Sequence, residues 1–143
     1  MTARTAGRLA ALALALLAVV GCTYYPTVQE TGGVRLQPEE GRLVRLADAN
    51  AVVFYVHLNS TGKYGDTLVG ATAPIARQAE LISAGGTRLG QLEIPGEAVV
   101  KFAENGPRIV LSDLTRTVTP GEVVIVTLHF KKSGALGIIS VVQ

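Results

Sequence analysis

Sulfur is almost missing from this chain. Its 143 residues include one cysteine, Cys22, and one methionine, Met1. A single cysteine excludes an internal disulfide, and a free thiol would be a liability in an oxidising compartment. Histidine is scarce as well, with only His57 and His129. Apolar runs long enough to cross a bilayer, roughly 20 residues, are also lacking. No glycine-rich phosphate loop opens a helix, no Ser/His/Asp arrangement stands out, and the carboxylates do not cluster in pairs. The residues therefore give no support for catalysis, and the expectation is a protein that is not an enzyme.

What is present begins at the N-terminus. Arg4 and Arg8 precede an apolar run over residues 9–20, followed by Gly21 and Cys22. A basic start, a short apolar stretch and small residues before a cleavage point make a secretory signal. The ending Val19-Val20-Gly21-Cys22 is similar to the bacterial lipobox, in which the cysteine becomes the first residue of the processed chain and its sulfur carries a diacylglycerol. The chain's only cysteine stands where that chemistry needs it. Two acyl chains anchor stably where one is marginal. The expected organisation is a signal over residues 1–21, a lipidated Cys22 with a polar tether over residues 22–33, and a domain over residues 34–143. The tether sequence could alternatively supply a first edge strand through Tyr24 and Tyr25. The expected location is extracytoplasmic, on a bacterial membrane and facing the periplasm or its equivalent.

An excess of charge of one sign is absent once the leader is set aside. The formal net charge of +2 comes from Arg4 and Arg8, leaving eleven basic against eleven acidic residues beyond Cys22. No basic patch suggests nucleic acid as a partner.

From Val34 onward the pattern is β. Residues 34–36 read as a short strand stopped by a turn cluster, Pro38-Glu39-Glu40-Gly41, and residues 42–46 alternate poorly. Residues 51–58 (AVVFYVHL) form a strand rich in β-branched and aromatic residues. Its two faces would carry Val52, Phe54 and Val56 on one side, and Val53, Tyr55 and His57 on the other. Residues 59–65 read as a loop. Leu68-Val69 begins a further strand-like run, and a polar-apolar run ends at Ala79-Glu80-Leu81. A weaker strand is expected near residues 89–94. Pro95-Gly96 suits the centre of a type II turn with glycine at positive φ. Strands follow over residues 97–102 and 108–111, with a connecting loop over 113–119. Pro120-Gly121 turns into residues 122–130, where Val124, Val126, Leu128 and Phe130 share the core face. Residues 135–142 form the last strand. Short strands with turn chemistry between them, and no sustained 3.6-residue apolar period, indicate an all-β antiparallel sandwich or barrel. A domain of about 110 residues buries roughly 65% of its unfolded surface and needs neither metal nor disulfide to fold.

An ordered set of residues over about 90 positions (52–142) carries a family resemblance. It comprises Tyr55 and Asn59, Asp66-Thr67-Leu68-Val69-Gly70, Ala79-Glu80-Leu81, and Ile94-Pro95-Gly96-Glu97. It continues through Ile109, Leu111 and Leu114, then Gly121-Glu122, Leu128, Phe130 and Gly134. In this set the chain resembles the periplasmic copper chaperones of the PCu(A)C type. The resemblance implies a Greek-key, cupredoxin-like β-sandwich with a metal site at one rim. There two histidines and two methionines hold Cu(I), a soft ion suited to thioether and imidazole. This chain departs from that ligand set. Ile82 stands where the first histidine follows Glu80-Leu81. Residues 86–90 contain no methionine, and Arg108-Ile109-Val110 replaces the His-Ile-Met signature. Copper is implied by the resemblance, but the residues give it no sulfur to settle on, so the reading by residues is that no cofactor is held.

Two histidines and one arginine are the remaining candidates. His57 and His129 could bind a metal with Asp66 or Glu80 if their strands pair; otherwise they are strand histidines at the surface. Arg108 could hold an anionic group or a partner's acidic patch, or be a solvated arginine at a strand start. The leading expectation is an envelope lipoprotein with the chaperone scaffold and no Cu(I) site, acting as an accessory or interaction module. Its partners would be the membrane, through the anchor, and another envelope protein. A working metal chaperone with other ligands and a purely structural lipoprotein are the alternatives.

Overall fold

A computed structural model describes residues 32–47 and 49–143. The signal, Cys22, Tyr24, Tyr25 and nearly all of the tether lie outside the described residues. Ten strands follow in chain order: β1 (Leu36–Arg45), β2 (Ala51–Ser60), β3 (Asp66–Thr72), β4 (Ala76–Ile82), β5 (Arg88–Leu89), β6 (Leu92–Ile94), β7 (Ala98–Lys101), β8 (Arg108–Leu114), β9 (Val123–Phe130) and β10 (Gly134–Val142). No helix occurs among the described residues. The expected all-β, cupredoxin-like architecture is what the chain adopts.

β2 is the spine. Its ten residues are long enough to take β1 along one edge and two strands in tandem along the other. β8 pairs with Ala51–Phe54 and β7 with His57–Ser60. At the junction the Phe102 N–H donates to the Val56 carbonyl at 2.8 Å. Val52, Phe54, Val56 and Leu58 are essentially sealed from solvent. Val53 and Tyr55, on the opposite face, are buried too, and the Arg42 guanidinium lies 5.2 Å from the Tyr55 ring centre. A strand buried on both faces reads as a continuous apolar run rather than a strict alternation.

From β2 the strands are ordered β5-β4-β8-β2-β1-β10-β9-β3-β6. The β1–β10 pairing is parallel, with Arg42 opposite Val141, while the other ladders are antiparallel. The sheet curls until β3 and β4, near its two ends, lie side by side, a nearly closed barrel. Inside it Leu43, Phe54, Leu68, Ile109, Leu111, Val126 and Leu128 belong to one buried cluster. Val124, Val126, Leu128 and Phe130 all point inward, as the alternation of β9 requires.

Three local expectations are corrected. Pro38 to Gly41 does not stop a strand. It is a bulge inside β1, marked by a register shift between Glu39 and Arg42 and by Glu40 at φ 55°. Gly41 is required there because a Cβ would come within 2.8 Å of the Ile139 carbonyl oxygen. Around Pro95-Gly96 the positive φ falls on Glu97, at 52°, and not on the glycine. Gly96 serves close approach instead, since a Cβ would meet the Lys63 carbonyl oxygen at 2.4 Å. The weak strand near residues 89–94 is two strands at opposite ends of the sheet, β5 on β4 and β6 on β3. The chain between them, Gly90-Gln91, therefore crosses the seam and helps to close the barrel covalently.

Candidate functional site

The rim where β4, β5 and β8 meet gathers the substituted ligand positions. Register places Arg108 of β8 opposite Ile82 of β4, and Ile82 opposite Arg88 of β5. The next row inward is Ile109, Leu81 and Leu89, and in the row after it Val110 faces Glu80. Side chains alternate along a strand. Leu81 and Ile109 are therefore buried in the core, while Arg108, Ile82 and Arg88 stand on the outer face with Val110 and Glu80. Two ladder spacings of about 4.8 Å separate the backbones of the two arginines by roughly 10 Å.

These charges are unequally engaged. Arg88 Nη2 lies 2.6 Å from Glu80 Oε1. Arg108 Nη1 reaches only the Glu104 carbonyl, at 3.5 Å, which is long for a hydrogen bond. Among the described residues Arg108 has no carboxylate partner.

Beside this rim lies the seam. Between β3 and β4 the bridge Ala73↔Ala76 joins the hairpin at its turn, and no ladder forms beyond it among the described residues. β3 carries a bulge between Leu68 and Gly70, which leaves Val69 exposed. A cavity of about 150 Å³ opens here, lined by Leu68, Val69, Ala71, Ala79, Leu81 and Ile109 among others, with Glu80 and Arg88 also in the lining. Its physical origin is small residues on inward positions. Ala79 is opposite the buried Leu111 and Ala71 is opposite the buried Leu128, so neither fills the space a larger side chain would take.

The two histidines are not brought together. His57 is on β2 and His129 on β9, with β1 and β10 between them; three ladder spacings amount to about 14 Å. His57 Nδ1 lies 3.5 Å from Glu40 Oε2, and His129 Nε2 is 3.0 Å from Thr72 Oγ1. Asp66 is committed elsewhere. Its Oδ1 accepts from the backbone N–H of Thr67 (2.7 Å) and Lys132 (2.9 Å), and its Oδ2 from the Ser133 N–H (2.8 Å) and hydroxyl (2.7 Å). This clasp ties β3 to the β9–β10 turn. Burial pushes the carboxyl pKa up, but the Ser133 hydroxyl and the N–H groups of Lys132, Ser133 and Thr67 outweigh it and hold it below the ordinary value. No group of three or more His, Cys, Asp or Glu side chains is placed to hold a metal among the described residues. The sequence reading missed the Asp66 clasp because its partners are 66 and 67 positions away.

This nearly closed all-β sheet is similar to solved PCuAC domains. The copper-bound PCuAC domain from PmoF2 superposes with a TM-score of 0.68 at 22% identity, over 80% of this chain and 96% of that one. The apo PCuAC domain from PmoF1 gives 0.67 at 19%, over 80% and 97%. The Cu(I) form of DR1885 from Deinococcus radiodurans gives 0.67 at 19%, over 90% and 85%. At such identities the likeness is one of fold. The sequence itself places the chain more narrowly: it belongs to the LpqE-like family, described as "Putative lipoprotein LpqE-like", whose family profile matches residues 27–142. No curated protein matches the chain significantly.

Proposed function

We propose that this protein is a lipid-anchored component of a bacterial cell envelope that keeps the PCuAC scaffold and uses it as an accessory or interaction module, without carrying Cu(I) and without catalysing a reaction. The observation that carries this reading is the donor set at the rim. Cu(I) is held by soft sulfur and neutral imidazole. The chain's only sulfur atoms belong to Met1 and Cys22, at the leader and the proposed anchor. The positions that resemble the family's ligands hold Ile82, Arg108 and Val110, and the two guanidiniums flanking Ile82 repel a cation. The residues present do not fit copper as cargo.

Two further features support an interaction role. Val123, Ile125, Ile139 and Val141 are exposed by 59%, 53%, 71% and 42%. They sit in directly opposed pairs on the outer face of β9 and β10, and contiguous exposed apolar surface of this kind marks contact sites. The family description as a lipoprotein agrees with the lipobox-like ending at Cys22. It supports an extracytoplasmic location and a membrane as one partner.

A Cu(I) competition titration on the full chain tests the reading. The expected result is no site tighter than micromolar. One tight equivalent, lost in His57→Ala or His129→Ala, would replace it with a metal chaperone using nitrogen ligands. The anchor is tested separately by membrane fractionation, where Cys22→Ser is expected to release the chain into the soluble fraction.

A further inference from the structure

The seam cavity and the arginine row beside it have complementary characters that together describe a ligand. Size narrows the choice first. About 150 Å³ matches the engineered core cavities that accept a benzene-sized group. Pockets for cofactors and drug-sized molecules run to roughly 300–1,000 Å³. The cavity holds one side chain and is too small for an acyl chain or a cofactor.

Its inner walls are apolar. Leu68, Leu81 and Ile109 are buried, while Ala71 and Ala79 leave the hole. The lining also takes in Val69 at the β3 bulge and the paired Glu80 and Arg88. One strand further along the same outer face stands Arg108, without a carboxylate partner among the described residues. A segment that leaves the cavity across β4 therefore meets a positive charge with no carboxylate partner among the described residues.

We propose that the seam is the docking site for an extended segment of a partner protein, which inserts one leucine- or phenylalanine-sized side chain between β3 and β4. A neighbouring Asp or Glu of that segment meets Arg108, with Arg88 shared between it and Glu80. A planar guanidinium takes a carboxylate in bidentate fashion, so the acidic residue sets the orientation while the apolar one supplies the anchor. The inference rests on the interaction-module reading and gives the chemistry of the partner.

The test pans a random-peptide phage library against the full chain in nanodiscs, with empty nanodiscs as control. Enriched peptides are expected to share an apolar residue with an Asp or Glu within two positions. A synthetic peptide of the commonest sequence should lose at least tenfold in affinity to the Ala79→Leu chain, in which the cavity is filled. It should lose as much to Arg108→Glu, an outer-face change that keeps the proposal testable if Ala79→Leu does not fold. No enrichment over empty nanodiscs, enriched peptides without acidic residues, or unchanged binding to both variants would overturn the proposal. Displacement of the peptide by micromolar hexanoate would also overturn it, by assigning the cavity to a small free acid. Failure here with no tight Cu(I) site leaves the module reading standing; a tight Cu(I) site removes that reading whatever the peptides do.

Discussion

The two halves of β3 are held in opposite ways. From Asp66 to Leu68 the strand pairs with β6, its Thr67 carbonyl accepts from the Lys131 N–H, and its first side chain clasps the β9–β10 turn. From Gly70 to Thr72 it pairs with β9 alone and faces β4 across an incompletely filled gap. One strand thus carries both a firmly tied corner of the barrel and a wall with a cavity behind it. The lesson is that closure here comes from the corner and from the Gly90-Gln91 crossing, so the seam need not be packed. A wall released from closing the barrel can keep a cavity.

The most direct way to break this contrast is to untie the corner. Asp66→Ala removes the acceptor of four hydrogen bonds and leaves part-buried donors unmatched. A loss of about 3–5 kcal/mol is expected in urea unfolding. The same carboxyl has a lowered pKa in the folded state. Its contribution is therefore full above the unfolded value and is lost as pH falls through the folded one. Acid unfolding should show that loss in the native chain and not in Asp66→Asn.

A smaller blow to the same end is Gly96→Ala, whose Cβ would meet the Lys63 carbonyl oxygen at 2.4 Å and its carbon at 2.7 Å. With backbone against backbone, about 1–3 kcal/mol of destabilisation is expected. At the seam the sign should reverse. A Cβ on Gly70 meets nothing within 4 Å and its φ is not positive, so Gly70→Ala should be neutral or stabilising by up to about 1 kcal/mol. Ala79→Leu should stabilise by about 1 kcal/mol by filling the cavity. If it destabilises instead, the seam is as tightly packed as the corner and the contrast fails. Least of all, Glu80→Gln should change stability by under about 1 kcal/mol, because its partner Arg88 is 72% exposed.

Legibility in the sequence followed range. β9 could be read from its local alternation, and β2 from its unbroken run of β-branched and aromatic residues. The β1 bulge could not, since Pro38 to Gly41 carries the composition of a turn, and turns and bulges draw on the same residues for the same backbone freedom. Whether that chemistry ends a strand or only bends it depends on the partner, here β2, which pairs with β1 on both sides of the bulge. Asp66 looked like a candidate metal ligand because a carboxylate's residue type does not say which N–H groups will surround it. His57 and His129 were paired only conditionally, and the strand order separates them.

What the amino-acid sequence determined alone is chemical and local. It withholds sulfur from the folded domain, puts isoleucine, arginine and valine at positions 82, 108 and 110, and sets the inward face of each strong strand through the twofold repeat of extended backbone. Only the tertiary structure decided that β1 runs parallel to β10, that the segment after β4 splits across the seam, and that Arg88 and Arg108 come to flank Ile82. The reason is physical. Alternation is built into the covalent geometry of each strand, whereas strand order and lateral register arise from pairings between residues far apart in the chain, which form only when the whole sheet closes.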